Sequence, residues 1–154
     1  MHSQPSQRKS EVLVTMSLSH EQLDRLKERC EVVVAGWGLT GNRLDEDALC
    51  SMVQDVDILL VGYENISARV IQSARNLKII GISRSNPVNV DINAANVRGI
   101  PVLHTPGRNA IAAAEYTMGL MLSQARNISS SDRALRNRNY LGHPKENLYR
   151  DNLD

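Results

Sequence analysis

The residues best suited to chemistry lie in one short polar loop, Ser83-Arg84-Ser85-Asn86. An apolar, β-rich run over 77–83 leads into it, which predicts a strand buried on both faces of a parallel sheet. The backbone N–H groups, the Ser85 hydroxyl, the Asn86 amide and the Arg84 guanidinium are all hydrogen-bond donors suited to a carboxylate. Open α/β sheets bind ligands at the carboxyl ends of their strands, so this loop is the predicted site for an acidic ligand. The alternative is a solvated arginine beside an ordinary turn.

A second candidate is a glycine motif over 36–41, Gly-Trp-Gly-Leu-Thr-Gly, which follows a predicted strand and has the GxGxxG spacing of dinucleotide-binding turns. Glu64, near the end of the next strand, has the offset of a ribose-binding acid. Against nucleotide binding, the next predicted helix begins with three acidic residues, 45–47, whose charges oppose a pyrophosphate at a helix N-terminus. The sequence therefore favours a glycine-rich structural turn.

The order of predicted elements indicates the fold class. Five β-rich runs, at 11–15, 31–35, 57–61, 77–83 and 101–104, alternate with helical segments. The predicted N-caps of those helices are Ser19, Asp45, Ser67 and Asp91. Ser19 is also predicted to form a capping box with Gln22. Such alternation predicts an α/β fold, a five-stranded parallel sheet with helices on both faces.

A long helix is predicted after the fifth strand, over 110–128. Asn109 precedes it and can either cap the helix or present its amide to a ligand. The helix is apolar or small on most of its circumference, which requires partners on more than one side. From Ser129 the chain turns polar and basic, and we interpret 129–154 as a solvated linker because it has too few apolar residues for a core and no aromatic stacking pattern for nucleic acid.

Four motifs stand in order in the second half of the chain: Asn89-Val90-Asp91, Arg98-Gly99-Ile100-Pro101-Val102, Thr105-Pro106-Gly107-Arg108-Asn109-Ala110 and Ala114-Glu115-Tyr116-Thr117-Met118-Gly119-Leu120. Together they resemble the D-isomer-specific 2-hydroxyacid dehydrogenases, a family that includes phosphoglycerate dehydrogenases. The similarity is weak from Val12 and strong from Leu77 to Ile128. It implies a flavodoxin-like strand order. It also implies the front part of an enzyme that exchanges hydride between a 2-hydroxy or 2-oxo acid and NAD, or NADP.

The resemblance implies roles for individual residues. In the family the loop after the fourth strand holds the substrate carboxylate, which implies substrate binding by Arg84, Ser85 and Asn86. The position of Ser85 also contacts the cofactor, and the position of Asn109 lies beside substrate and nicotinamide. This chain has Ser85 and Asn86 where glycines are frequent, and Val88 where an acid is frequent, so the identity of the 2-hydroxy acid stays open.

The resemblance implies that the catalytic Arg, His and acidic residue of the family belong to a region absent from this chain. His104 and His143 do not match the histidine motif, and no catalytic residue is assigned. The expected organisation is a flavodoxin-like substrate domain (1–104), a long crossover helix at the nucleotide-domain boundary (105–128), and a polar linker (129–154) to an absent NAD-binding domain. A homodimer is expected through the helix from Ala110 to Ile128. The alternative is a freestanding, non-catalytic ligand-binding or dimerisation module. The reading frame beyond Asp154 separates the two.

The composition of the chain limits which classes of binding partner are expected. With 18 Lys and Arg against 17 Asp and Glu, the net charge is +1, which gives no reason to expect nucleic acid or an acidic membrane. The polar N-terminus lacks the apolar region of a signal peptide and no run is long enough to span a bilayer, so a cytoplasmic protein is expected. Cys30 and Cys50 are far apart and the histidines lack ligand spacing, so neither a disulfide nor a metal site is predicted.

Overall fold

The computed structural model describes residues 8–137, which divide into two compact units, 8–108 and 109–137. The elements of the first unit are β1 (Ser10–Val14), α1 (His20–Lys27), β2 (Cys30–Val34), α2 (Trp37–Thr40), α3 (Glu46–Met52), β3 (Ile58–Val61), α4 (Ala68–Ser73), β4 (Ile79–Ile82), α5 (Ile92–Val97) and β5 (Val102–His104). The second unit contains α6 (Ala110–Ala125) and α7 (Ile128–Arg136).

The five strands form one parallel sheet in the order β2-β1-β3-β4-β5. This is the flavodoxin-like order, so the predicted α/β fold class is confirmed. β1 lies inside the sheet, with Val12 opposite Val32 of β2 on one side and Ile58 of β3 on the other. All the carboxyl ends of the strands therefore lie at one edge, where the candidate ligand loops begin.

The main core lies on one face of the sheet. Alternate strand residues, including Leu13, Leu59 and Ile80, are buried there with Leu49 of α3 and Ile71 of α4. A strand presents successive side chains to opposite faces, so this alternation gives the core its apolar layer. The β4 run is predicted to be buried on both faces, but its residues alternate between buried and half-buried. On the second face Val12 and Val14 are buried but Ile58, Leu60 and Ile79 are half-buried, so this face is less completely covered.

N-cap residues mark where four of the helices begin. Ser19, Asp45, Ser67 and Asp91 each accept the backbone N–H of the residue three positions later, and Ser19 forms the capping box with Gln22. These four predicted caps are confirmed. Each satisfies a backbone donor that the first helical turn leaves without a partner.

The Asp57 side chain, just before β3, links Glu11 of β1 to Lys78, which precedes β4. Its side chain is 11% exposed, its Oδ1 atom lies 2.8 Å from Lys78 Nζ, and its Oδ2 atom accepts the Glu11 N–H at 2.9 Å. The hydrogen bond from Lys78 and then the Glu11 N–H hold the pKa of the Asp57 carboxyl below its ordinary value, although burial opposes them. Because the pKa is lower in the folded chain, the stabilisation is complete above the unfolded value, about 3.9, and is lost as the pH falls through the folded value.

We therefore expect Asp57→Asn to lower the free energy of unfolding at neutral pH by about 1 to 3 kcal/mol, since it removes charge-assisted hydrogen bonds. The variant should also lose part of the decline in stability that the parent chain shows on acidification. Urea unfolding at a series of pH values measures both effects. Asp55→Asn, at an exposed neighbour, is the control and should keep the parent profile. An unchanged pH dependence in Asp57→Asn would contradict the assignment.

The C-terminal part of the described chain differs from the sequence prediction. The long helix predicted to reach residue 128 ends at Ala125, because Asn127 takes a left-handed conformation with φ +54°. A second helix, α7, then covers the first part of the segment predicted to be a polar linker. Ala134 is buried, and Arg136 pairs with Asp132 one turn earlier at 2.9 Å. Such i,i+4 pairs support a helix that is poor in apolar residues. The rest of that segment lies outside the described residues.

No helix within residues 8–137 is both long enough and apolar enough to cross a membrane.

Candidate functional site

The loop over 83–86 is fixed through its carbonyl oxygens. Arg108 Nη1 donates to the Ser83 carbonyl at 2.9 Å, the Thr105 N–H donates to the Arg84 carbonyl at 3.0 Å, and His104 Nδ1 lies 2.7 Å from the Ser85 carbonyl. Three successive carbonyl groups are therefore engaged by residues at or after the end of β5. The loop is held as one unit at the carboxyl edge of the sheet.

The hydrogen-bond donors of residues 84–86 in the same loop, in contrast to its carbonyl oxygens, have no hydrogen-bond partner within the described residues. Among residues 8–137, the backbone N–H groups of Arg84, Ser85 and Asn86 have no hydrogen-bond partner, nor do the side chains of Ser85 and Asn86. Consecutive free N–H groups at the end of a strand suit an anion such as a carboxylate. Arg84, Ser85 and Asn86 are consecutive in this loop, and their contact with a substrate stays a prediction.

The Arg84 side chain joins an aromatic group that the sequence analysis missed. Its guanidinium carbon lies 5.2 Å from the ring centroid of Tyr63, whose ring is 4.7 Å from that of Trp37, and the Arg43 guanidinium carbon lies 5.8 Å from Tyr63. We call these four residues the Tyr63 cluster. The sequence did contain a signal for this aromatic group. Aromatic residues are only 3% of the chain, and Trp37 and Tyr63 each follow a predicted strand closely.

A cavity of about 540 Å³ opens beside the loop, on the side where β5 ends. Its polar lining residues are Ser17, Gln22, Ser83, His104, Thr105 and Arg108. Of the loop residues only Ser83 lines it, so the cavity and the free N–H groups are separate features. His104 has no acidic partner within the described part of the chain, which leaves no acid and base pair to assign there. No group of metal-ligating side chains occurs within residues 8–137.

The glycine motif is occupied by the protein itself. Glu64 is fully buried; its Oε1 accepts the Trp37 N–H at 2.9 Å and its Oε2 accepts the Tyr63 N–H at 3.2 Å. Gly36 has φ +59°, and a Cβ there would lie 2.5 Å from Glu64 Oε1. A Cβ on Gly38 would lie 2.3 Å from the Met16 carbonyl oxygen. The glycines therefore permit close packing around a buried carboxylate, and the turn does not fit a pyrophosphate.

The family model for the D-isomer specific 2-hydroxyacid dehydrogenase, catalytic domain, matches residues 12–141. The chain belongs to this family. A D-3-phosphoglycerate dehydrogenase of Archaeoglobus fulgidus is 36% identical over 81% of the chain, and a hydroxypyruvate reductase of Thermotoga maritima is 37% identical over 75%. The TT0316 protein from Thermus thermophilus is similar in structure, with a TM-score of 0.76, 34% identity and 92% of the chain covered.

These three proteins are much longer than this chain. It spans 23% of the Archaeoglobus protein, 36% of the Thermotoga protein and 45% of the Thermus chain. It therefore corresponds to a part of each of these proteins.

Asn109 occupies the N-cap position of α6 in this dehydrogenase-family chain, but its side chain accepts no N–H from the helix. The capping role considered from the sequence is therefore wrong. Its amide makes no hydrogen bond to any of the residues described, whereas its carbonyl accepts the Ala113 N–H at 2.9 Å. The remaining prediction, contact of the Asn109 amide with a ligand, stays a prediction.

The occupied glycine motif leads to an expected result with NADH. The chain should show no saturable NADH binding at sub-millimolar concentration, because Glu64 already takes the N–H groups that a phosphate would need. Trp37 is the single tryptophan and lies within the motif, so energy transfer from Trp37 to bound NADH reports binding there directly. Free tryptophan amide corrects for light absorbed by NADH. Saturable energy transfer, confirmed by calorimetry, would contradict the structural role of the glycines.

Proposed function

We propose that this chain supplies the substrate-binding part of an NAD-dependent 2-hydroxyacid dehydrogenase, in which the loop over 83–86 binds the carboxylate of a 2-hydroxy or 2-oxo acid. One observation carries the proposal. Three successive backbone N–H groups, those of Arg84, Ser85 and Asn86, are free at the carboxyl edge of β4 while the neighbouring carbonyls are engaged. A carboxylate accepts several such bonds and compensates donors that would otherwise lack partners.

In the proposed enzyme the chain's own residues bind and orient the acid. The loop would hold the carboxylate, and C2 of the same acid is the atom that exchanges hydride with the nicotinamide. Nicotinamide, NAD or NADP, supplies or takes the hydride when bound. Because the glycine turn is filled by Glu64, we propose that other parts of a longer protein hold the nucleotide, with the Ser85 hydroxyl as the contact from this chain. We assign no catalytic acid or base among residues 8–137.

The relatives support this class of substrate. Their names describe enzymes of small hydroxy and oxo acids, a D-3-phosphoglycerate dehydrogenase and a hydroxypyruvate reductase. Since the chain covers less than half of each, the activity of a whole protein is part of the proposal.

The carboxylate site can be tested on the chain as it stands. Titration with oxamate, an unreactive analogue of a 2-oxo acid, should shift the amide NMR signals of Arg84, Ser85 and Asn86 in a saturable way. Arg84→Gln and Ser85→Ala should each weaken the affinity by about tenfold or more, since a hydrogen bond to a charged group is worth about 1.5 to 3 kcal/mol.

Ser17→Ala is the matched control, because Ser17 lines the nearby cavity and not the loop. It should leave the oxamate affinity unchanged. Shifts confined to Ser17, His104 and Arg108 would instead place the carboxylate in the cavity. In that case the loop assignment would be wrong while the family membership would stand.

We further propose that the protein forms a homodimer through α6. The large apolar side chains of this helix, Ile111, Tyr116, Met118, Leu120, Met121 and Leu122, are each at least 52% exposed. Contiguous apolar surface of this kind is typical of an interface. A Cβ added to Gly119 would meet no atom within 4 Å, so close packing within the described chain does not explain this glycine.

A further inference from the structure

The Tyr63 cluster contains two arginine side chains, Arg43 and Arg84, that contact the same aromatic ring. Neither Arg43 nor Arg84 forms a salt bridge within residues 8–137, where five other pairs occur. Tyr63 is 42% exposed and Trp37 is 39% exposed, so solvent reaches the cluster. Both guanidiniums are placed over one aromatic ring at the edge of the sheet where ligands bind.

Stacking on an aromatic ring leaves a guanidinium able to bind an anion. Cation–π contact uses the face of the planar group, whereas its N–H donors point outward from the edge. An arginine held in this way has lost part of its rotamer freedom before any ligand arrives, which lowers the entropic cost of binding. The two arginines are therefore oriented donors rather than freely moving surface charges.

The base of the cluster is tied together by buried polar groups. Glu64 accepts N–H groups from both Trp37 and Tyr63, at 2.9 and 3.2 Å, and so joins the segments after β2 and β3. Asn89, after β4, donates its Nδ2 to the Glu64 carbonyl at 2.7 Å. The segments that follow β2, β3 and β4 are thereby linked by hydrogen bonds to Glu64. Glu64 is fully buried, and its two carboxyl oxygens accept these N–H groups.

We propose that the Tyr63 cluster is an anion subsite, in which Arg43 and Arg84 together bind a doubly charged oxyanion group such as a phosphate monoester or a dicarboxylate. Two guanidiniums provide the charge and the donor number that a dianion requires, whereas a single carboxylate is served by the N–H groups of the loop over 83–86. Because Arg84 belongs to both features, the subsite adjoins that loop. The further statement that the dianion is the distal end of the substrate rests on the proposed function.

Trp37 makes the subsite directly observable, because the chain has no other tryptophan and this ring contacts Tyr63. Titration of the whole chain with methyl phosphate, and separately with succinate, should change Trp37 fluorescence in a saturable way at constant ionic strength. Acetate, a single carboxylate, should bind at least about tenfold more weakly. A response to methyl phosphate alone or to succinate alone identifies which dianion the subsite accepts.

Arg43→Gln and Arg84→Gln should each weaken dianion binding by at least about tenfold, which corresponds to loss of one charge-assisted contact. Arg25→Gln, at an exposed arginine of α1, is the matched control and should bind like the parent chain. Amide NMR spectra of each variant establish that it is folded. No saturable response to either dianion, equal affinity for acetate, or unchanged affinity in the Arg43→Gln variant would overturn the proposal.

The two proposals can fail separately. The fluorescence experiment needs no nicotinamide and no turnover, whereas the oxamate titration reports on the loop amides alone. Dianion binding without any oxamate effect at 83–86 would reject the carboxylate site and keep the subsite. The reverse result would reject the subsite and keep the proposed function.

Discussion

Gly38→Ala should be among the most damaging small substitutions in this chain, lowering the free energy of unfolding by about 3 kcal/mol or more. The added Cβ would lie 2.3 Å from the Met16 carbonyl oxygen and 2.8 Å from its carbonyl carbon. Both are backbone atoms of the segment just after β1, so relief requires the segment after β2 to move away from it. Urea unfolding followed by Trp37 fluorescence measures the loss at the position where the strain arises.

Gly41→Ala is the control that separates crowding from backbone conformation. Gly41 has φ +74°, but a Cβ there would meet no atom within 4 Å. Its replacement should cost only the left-handed penalty, about 1 to 2 kcal/mol. If Gly41→Ala proved as harmful as Gly38→Ala, close approach to Met16 would not be the reason for the glycine, and the motif would need another explanation.

The second large effect is expected in self-association. The chain should form a dimer in light scattering and sedimentation, and Met118→Glu with Met121→Glu should weaken that dimer by at least about a hundredfold, because burying an unpaired carboxylate costs several kcal/mol. Both side chains are more than half exposed in the single chain, at 56% and 60%. The substitutions should therefore leave the fold of the monomer intact.

Gln124→Glu adds the same charge to the same helix at an exposed polar position and is the control. It should change the dimerisation constant only slightly. A chain that stays monomeric at high concentration, or a dimer that is indifferent to Glu at 118 and 121, would reject α6 as the interface.

The parts of the fold that were predicted are those that depend on neighbouring residues. The four helix caps act over three positions, and the strand runs are visible as β-rich segments, so both were identified from sequence. The strand order also agreed, with the family resemblance supporting it. α7 was missed because its support comes from an ion pair and one buried alanine instead of an apolar stripe.

Only part of the candidate site could be predicted from the sequence. The loop over 83–86 was found because its donors are contiguous, but the partners of Arg84 come from segments 20 or more residues away along the chain. Glu64 shows why the spacing of a sequence motif does not by itself identify a ligand contact. Its offset from the glycines fits a ribose-binding acid, yet in three dimensions its carboxylate fills the turn and accepts the Trp37 N–H. Spacing along a sequence does not distinguish a residue that contacts a ligand from one that replaces it.

The strand order has a consequence for how the chain folds as it leaves the ribosome. β1 pairs with β2 and β3, and β4 and β5 then add in turn to the same open edge. Once β3 has paired, no later strand must be inserted between two that are already joined. Synthesis proceeds from the N-terminus, so each new strand meets a finished template, and every intermediate exposes one growing edge. The sheet can therefore grow by sequential addition during translation, with β5 as its last strand.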